Sequence, residues 1–293
     1  MSSAYAQAFR GPVAKPQNGA ITGLGAGNTA VIKLGIGLTY ETLVIRMAKA
    51  GVPATRADME TMLGNIRITV SGDEKMNISV KQLIADVEYY FPGAIADSGN
   101  LVIPFWRSYM ESVDAQLGPN YGTTDQTSIV VEIAQLGGST IDSMVVIPRI
   151  NPLAEALGAH IITRKWTIPC PSAGVFQYAD LPRNPGEVLY SLMIEVPTIA
   201  DLTSLAYVPD DNRQTDLTLA DLATFAKLSS PQRAVQTAKN IAILDFVPRG
   251  YETDALPVGL LSSQVLELNF STAVGGRVAQ IIGKYGKIGS AAR

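Results

Sequence analysis

Among its 293 residues the chain has one cysteine, Cys170, and one histidine, His160. A lone cysteine excludes a disulfide within the chain and any cysteine-rich metal site. A lone histidine excludes the multi-histidine metal centres of small β-barrel enzymes. A Ser-His-Asp or Cys-His pair would have to use His160, which stands at the start of a strand pattern and reads as structural. With so little thiol chemistry, the chain is made and kept in a reducing compartment or is indifferent to redox. No basic leader followed by an apolar stretch opens the sequence, so no signal peptide is expected. Long apolar runs are lacking too. Val145–Pro148 and Ile241–Leu244 are far too short to cross a bilayer. Basic residues interleaved with aromatics are missing, so a sequence-specific nucleic-acid partner is not expected.

Charge itself is scarce. Charged residues make up 17% of the chain against 47% hydrophobic. Such a balance points to surface buried against partners or spent on large sheets. The little charge present is uneven. Residues 1–40 hold Arg10, Lys15 and Lys33 and no acid, and residues 268–293 hold Arg277, Lys284, Lys287 and Arg293 and no acid. The ends therefore carry +3 and +4, which leaves −10 in the middle for a net −3. Basic ends on an acidic body suit contact with an anionic surface, or else ordinary solvated tails.

Polar and apolar residues alternate through Thr29–Leu34, Ile66–Val70 and Val265–Phe270, the pattern of half-buried strands. The 26 glycines and 17 prolines are scattered, as turns between many strands require. Two segments break the rule. Val80, Leu83, Ile84 and Val87 recur at helical spacing, and so do Leu219, Leu222, Ala223 and Ala226. Asp216 or Thr218 can cap the second helix, with Asp221 three residues after Thr218. The order of elements then repeats. Leu43–Arg46 matches Leu192–Glu195, Val130–Ile133 matches Val265–Leu268, and one helix falls before the later strands of each half. The period is too long for a solenoid and reads as two copies of one domain. The expected fold is all-β: two jelly-roll β-barrels, each with a short inserted helix. Residues 1–27, rich in Gly and Pro, read as an N-terminal arm outside the barrels, with residues 28–152 as the first barrel and 153–293 as the second.

Candidate chemistry is thin. Gly23, Gly25 and Gly27 only faintly suggest a dinucleotide-binding turn, because no strand precedes them and a strand follows where a helix is needed. Asp210, Asp211 and Asp216 supply oxygens of the kind calcium takes. Arg213 among them, the missing glycine at the sharp turn and the missing terminal Glu favour a polar loop that caps the next helix. Asp73-Glu74 reads as a short acidic turn. Paired catalytic carboxylates would have to come from Glu41, Asp86, Glu132 or Glu267, and three of these lie in repeated elements, where fold explains them better than catalysis. Trp106 and Trp166 lie at or near strands and suit a core, although exposed together they would make a sugar platform.

Gly27–Glu41 resembles the start of the first barrel in corticovirus-type major capsid proteins. Ala179–Arg183 is similar to that family's turn between the first two strands of the second barrel, and Ile241–Val247 with Val265–Phe270 to its closing strands. The loops Pro169–Phe176 and Arg249–Leu261 depart from the family. The resemblance implies a structural virion protein without enzymatic activity: a double jelly-roll major capsid protein of a membrane-containing icosahedral bacterial virus, localised in the capsid shell. It implies a homotrimer with a pseudo-hexagonal outline that contacts neighbouring capsid trimers, penton and minor membrane proteins, and the surface of an internal lipid bilayer. Arg10, Lys15, Lys284, Lys287 and Arg293 become the candidates for membrane or neighbour contact. No cofactor is implied beyond calcium, which some members use. The competing reading is a tandem β-sandwich virion protein that binds carbohydrate or a receptor.

Overall fold

The computed structural model describes residues 13–14, 21–95, 98–110, 120–151, 154–210, 212, 216–230, 232–234 and 236–287, with side-chain surroundings for all of these except 13–14, 252 and 287. Two compact units emerge, residues 1–162 with 288–293 and residues 163–287. The connector after 153 is held by the first unit. Glu155 N–H donates to Thr39 Oγ1 at 3.0 Å and Leu157 N–H to Asp125 Oδ1 at 2.9 Å.

In the first unit one sheet runs β1 (Val13–Ala14), β10 (Ile141–Asn151), β3 (Thr39–Lys49), with β4 (Val52–Pro53), β7 (Asn100–Pro104) and β8 (Tyr121–Gly122) also pairing along β3. The other runs β2 (Thr29–Leu34), β9 (Ile129–Gln135), β5 (Leu63–Val70), β6 (Asp73–Ser79). The alternation read from the sequence is the burial seen. Ala30, Ile32 and Leu34 on β2 and Ile129, Val131 and Ile133 on β9 turn inward.

The second unit repeats the wiring. One sheet runs β11 (His160–Pro169), β17 (Val278–Lys287), β13 (Glu187–Glu195), β15 (Ile241–Asp245), and the other β12 (Gly174–Tyr178), β16 (Gln264–Phe270), β14 (Leu202–Pro209). Central strand β3 corresponds to β13 and central strand β9 to β16, which is where the two sequence matches fall. In each unit the first strand pairs with the last, β1 with β10 and β11 with β17. The core of the second unit gathers Leu192, Ile194, Leu205, Leu268 and Ile281 from both sheets. Fully burying a side chain of this size contributes about 1.5–3 kcal/mol.

Two helices match their expected stripes. In α2 (Val80–Tyr90), Val80, Leu83, Ile84 and Val87 are all buried, and Ser79 and Gln82 form a capping box. In α3 (Leu219–Ser229), Thr218 is the N-cap, closed by Asp221, and Leu222 and Ala226 are buried. A third helix, α1 (Arg56–Met62), was not foreseen. It is about two turns long, is capped by Thr55 and Asp58, and buries only Met59, too little to leave a period.

Three expectations need correction. The segment 1–27 is not wholly outside the barrels, because Val13 and Ala14 pair with Ile150 and Arg149 and form the counterpart of β11. Asp73 and Glu74 do not form the turn. Ser71 and Gly72, at φ 50° and 86°, make it, and the two acids open β6. Ala179–Arg183 joins the second and third strands of its unit, β12 and β13, rather than the first two.

Candidate functional site

The residues that could have carried catalysis are used as structural ties. His160 is buried, its Nδ1 lies 2.9 Å from the Gly158 carbonyl, and its ring meets Tyr121 edge-on at 6.1 Å. Cys170 is fully buried in the core of the second unit, and burial pushes its thiol pKa up, the reverse of what a nucleophile needs. Glu41 accepts from Arg149 Nε at 2.9 Å. Glu132 and Glu267 occupy equivalent places in the two units. The first accepts from Arg67 at 3.2 Å and the second from Gln177 at 2.8 Å. The glycine turn leads directly into β2. Gly23, at φ +78°, leaves no room for a side chain, since a Cβ would stand 2.1 Å from the Thr29 carbonyl oxygen.

The acidic loop behaves as a lock. Asp210 Oδ1 accepts from Ser262 N–H at 2.6 Å, Ser262 Oγ at 2.7 Å and Ser263 N–H at 2.9 Å. Donation from Ser263 and Ser262 holds its carboxyl below the usual range. An oxygen already accepting three bonds is a poor calcium ligand. Asp216 is exposed just ahead of the α3 cap, and Asp211 lies outside the described residues. Among the described residues no three His, Cys, Asp or Glu side chains converge on one point.

Neither tryptophan is an open sugar platform. Trp106 is half-buried under the Arg149 guanidinium, 4.8 Å from its ring centre. Trp166 is half-buried against Tyr178 and Tyr285 at 6.3 and 6.2 Å. Of the basic candidates, Lys284 is half-buried on β17 opposite Ser191, and Lys287 ends that strand opposite Glu187. Arg10, Lys15 and Arg293 lie outside the described residues. Arg277, counted above among the basic residues of the end, is buried. It donates to Asp201 Oδ2 at 3.1 Å and covers the Phe270 ring at 4.4 Å.

What the surface does offer is apolar. Leu228 and Phe225 share one turn of α3 and are 77% and 51% exposed. Leu260 is 82% exposed at the tip of a short 3-10 turn. The neighbouring Gly259 packs so closely on Asn184 and Pro185 that a Cβ would meet them at 2.8 Å. Sequence reasoning missed these residues, because only the fold distinguishes an outward leucine from an inward one. Singly they mean little, but in number they suit a subunit made for contact.

The family model of the viral coat protein P2 N-terminal domain matches residues 17–150. Over these residues the chain is similar to that coat-protein domain. The fold of the chain, a double jelly roll, is also that of known capsid structures. The major capsid protein P2 of bacteriophage PM2 superposes with a TM-score of 0.81 at 20% identity, over 96% of this chain and 99% of that one. The atomic structure of Sulfolobus turreted icosahedral virus gives 0.61 at 12% identity, over 94% and 90%. The PBCV-1 virus capsid gives 0.59 at 10% identity, over 94% and 93%. No curated protein matches the sequence at a significant level.

Proposed function

We propose that this chain is the major capsid protein of a virion and works as a homotrimer, three chains presenting six like units in a nearly hexagonal outline that tiles an icosahedral shell over an internal membrane. The observation that carries the reading is the repeated wiring, β3 for β13 and β9 for β16, which gives each chain two equivalent bodies. Two like bodies per chain under threefold symmetry give edges of sixfold character, and closed symmetry suits a self-assembling subunit. Exposed leucines and low charge support contact with neighbouring copies, since obligate interfaces are large and apolar. In this reading no catalysis is involved, and the loop at Asp210 serves as a polar lock rather than a calcium cage. The basic residues Lys284 and Lys287, with Arg10, Lys15 and Arg293, are the proposed contacts to neighbours, minor membrane proteins or lipid headgroups.

The test is the mass of the purified chain by light scattering behind a sizing column. A stable species at three times 31.1 kDa is expected. A monomer that persists at high concentration overturns the trimer, and glycan binding by that monomer would establish the carbohydrate-binding alternative.

A further inference from the structure

The duplicated units close one sheet edge differently. In the first unit the outer edge of β2 is covered by the chain's own backbone. Thr22 N–H donates to the Val31 carbonyl at 3.2 Å, and Val31 N–H to the Thr22 carbonyl at 2.8 Å. The covering residue comes from the long connection between β1 and β2. The counterpart edge in the second unit is β12, and residues 170–173 alone connect it to β11. A link that short cannot fold back along the strand it enters.

The register shows which β12 groups face outward. Val31 stands opposite Glu132 on β9, and Gln177 stands opposite Glu267 on β16, so Gln177 holds the place of Val31. Val31 turns its N–H and C=O away from β9, toward Thr22. In an antiparallel ladder such groups alternate, so Gln177 and Val175 turn theirs away from β16. Among the described residues none pairs with the outer edge of this strand: every residue of 171–180 is exposed or half-buried, inward-facing Phe176 and Tyr178 included, and Val175 is 54% exposed. Natural edges are blunted by charge, proline or a bulge. Gly174–Tyr178 has no charge and no proline, and its register with β16 is unbroken.

We propose that the β12 edge is a strand-addition site, filled in the oligomer that the chain forms in solution by an extended segment of a second copy of this chain. The first unit shows what the edge accepts, which is extended backbone of this same chain in antiparallel register. The second unit lacks the length to supply it from within. Main-chain bonds at Val175 and Gln177 give the affinity, and closure over Phe176 and Tyr178 completes their burial. This inference rests on the capsid reading above.

The test combines light scattering with amide hydrogen exchange on the full chain and on Val175→Lys and Val175→Pro. Both substitutions act on an exposed side chain or an outward N–H and leave the β12–β16 ladder in place. In the wild-type oligomer, the amides of Val175 and Gln177 are expected to exchange slowly. The variants are expected to keep their circular dichroism while self-association weakens on the order of tenfold or more. Fast exchange at both amides in a wild-type oligomer overturns the proposal and leaves the capsid reading standing, and so do folded variants of unchanged mass. A wild-type chain that is monomeric throughout overturns both. Should a variant not fold, exchange in the wild-type protein decides alone.

Discussion

Arg277 allows packing and charge to be separated in one experiment. It is 3% exposed, its Nη2 donates to Asp201 Oδ2 at 3.1 Å and Thr272 Oγ1 at 3.0 Å, and its guanidinium lies 4.4 Å from the Phe270 ring centre. Its Nη1 is buried without a partner. A hydrogen bond to a charged group contributes about 1.5–3 kcal/mol, and a buried donor left unmade costs about 1–3 kcal/mol. Two such bonds outweigh the one unmade donor by about 1–2 kcal/mol, and the rest of the residue's worth lies in its stem and planar group against Phe270. Arg277→Ala removes that packing and leaves Asp201 without this donor, and is expected to cost about 3 kcal/mol, within the usual range for core truncation. Arg277→Met keeps most of the packing and leaves Asp201, whose side chain is 20% exposed and can take water instead, without this donor, and is expected to cost about 1–2 kcal/mol. Urea titration of the three proteins, compared at equal slope, reads both numbers. Equal losses in the two variants would show that the charge pair holds this turn, and the reasoning would fail.

Further outcomes follow from local geometry. Ser79→Ala and Thr218→Ala each remove a capping box and should cost about 1 kcal/mol by the same titration, whereas Ser79→Asp should cost little. Asp58, hydrogen-bonded by Lys49 and then by Thr55, has its pKa lowered to about 2 from 3.8. A depressed carboxyl stabilises the fold above its unfolded pKa and loses that contribution as pH falls from near 4 through 2, so Lys49→Met should flatten the acid limb of the melting curve in that window. Buried Cys170 should ignore thiol reagents in the native chain and react once the chain is unfolded, and native reactivity would contradict the packing described.

Much of this fold is legible in the sequence because its strands are half-buried. Thr29–Leu34 and Val265–Phe270 alternate because one face meets core, and α2 shows its stripe because one face packs on strands. The duplication is legible for the same reason: equivalent places, such as Glu132 and Glu267, face equivalent surroundings. The elements missed are those whose pattern is set from elsewhere. Strand β1 is two residues long and exists only through Ile150 and Arg149. Strand β6 carries a register shift opposite Ile68 and Thr69, which puts Lys75 and Met76 both in buried positions and erases the alternation. Arg277 looked like part of a solvated basic end because charge is visible in a sequence and its cover is not. The contact surfaces were unreadable for a related cause, since Leu260 and Leu228 are ordinary leucines until the fold turns them outward.

The joining of first strand to last sets an order of events during synthesis. Val13 has no partner until Ile150 has been made, and β11 waits in the same way for β17. Pairings this distant in sequence form late and slowly, because the chain between them must first be confined. Each unit is thus left open along one side while it is on the ribosome, and the second cannot finish before the residues of β17 emerge. A nascent chain ending before Val278 would lack the strand that β11 and β13 both grip, so a stalled product would be unable to close its second unit.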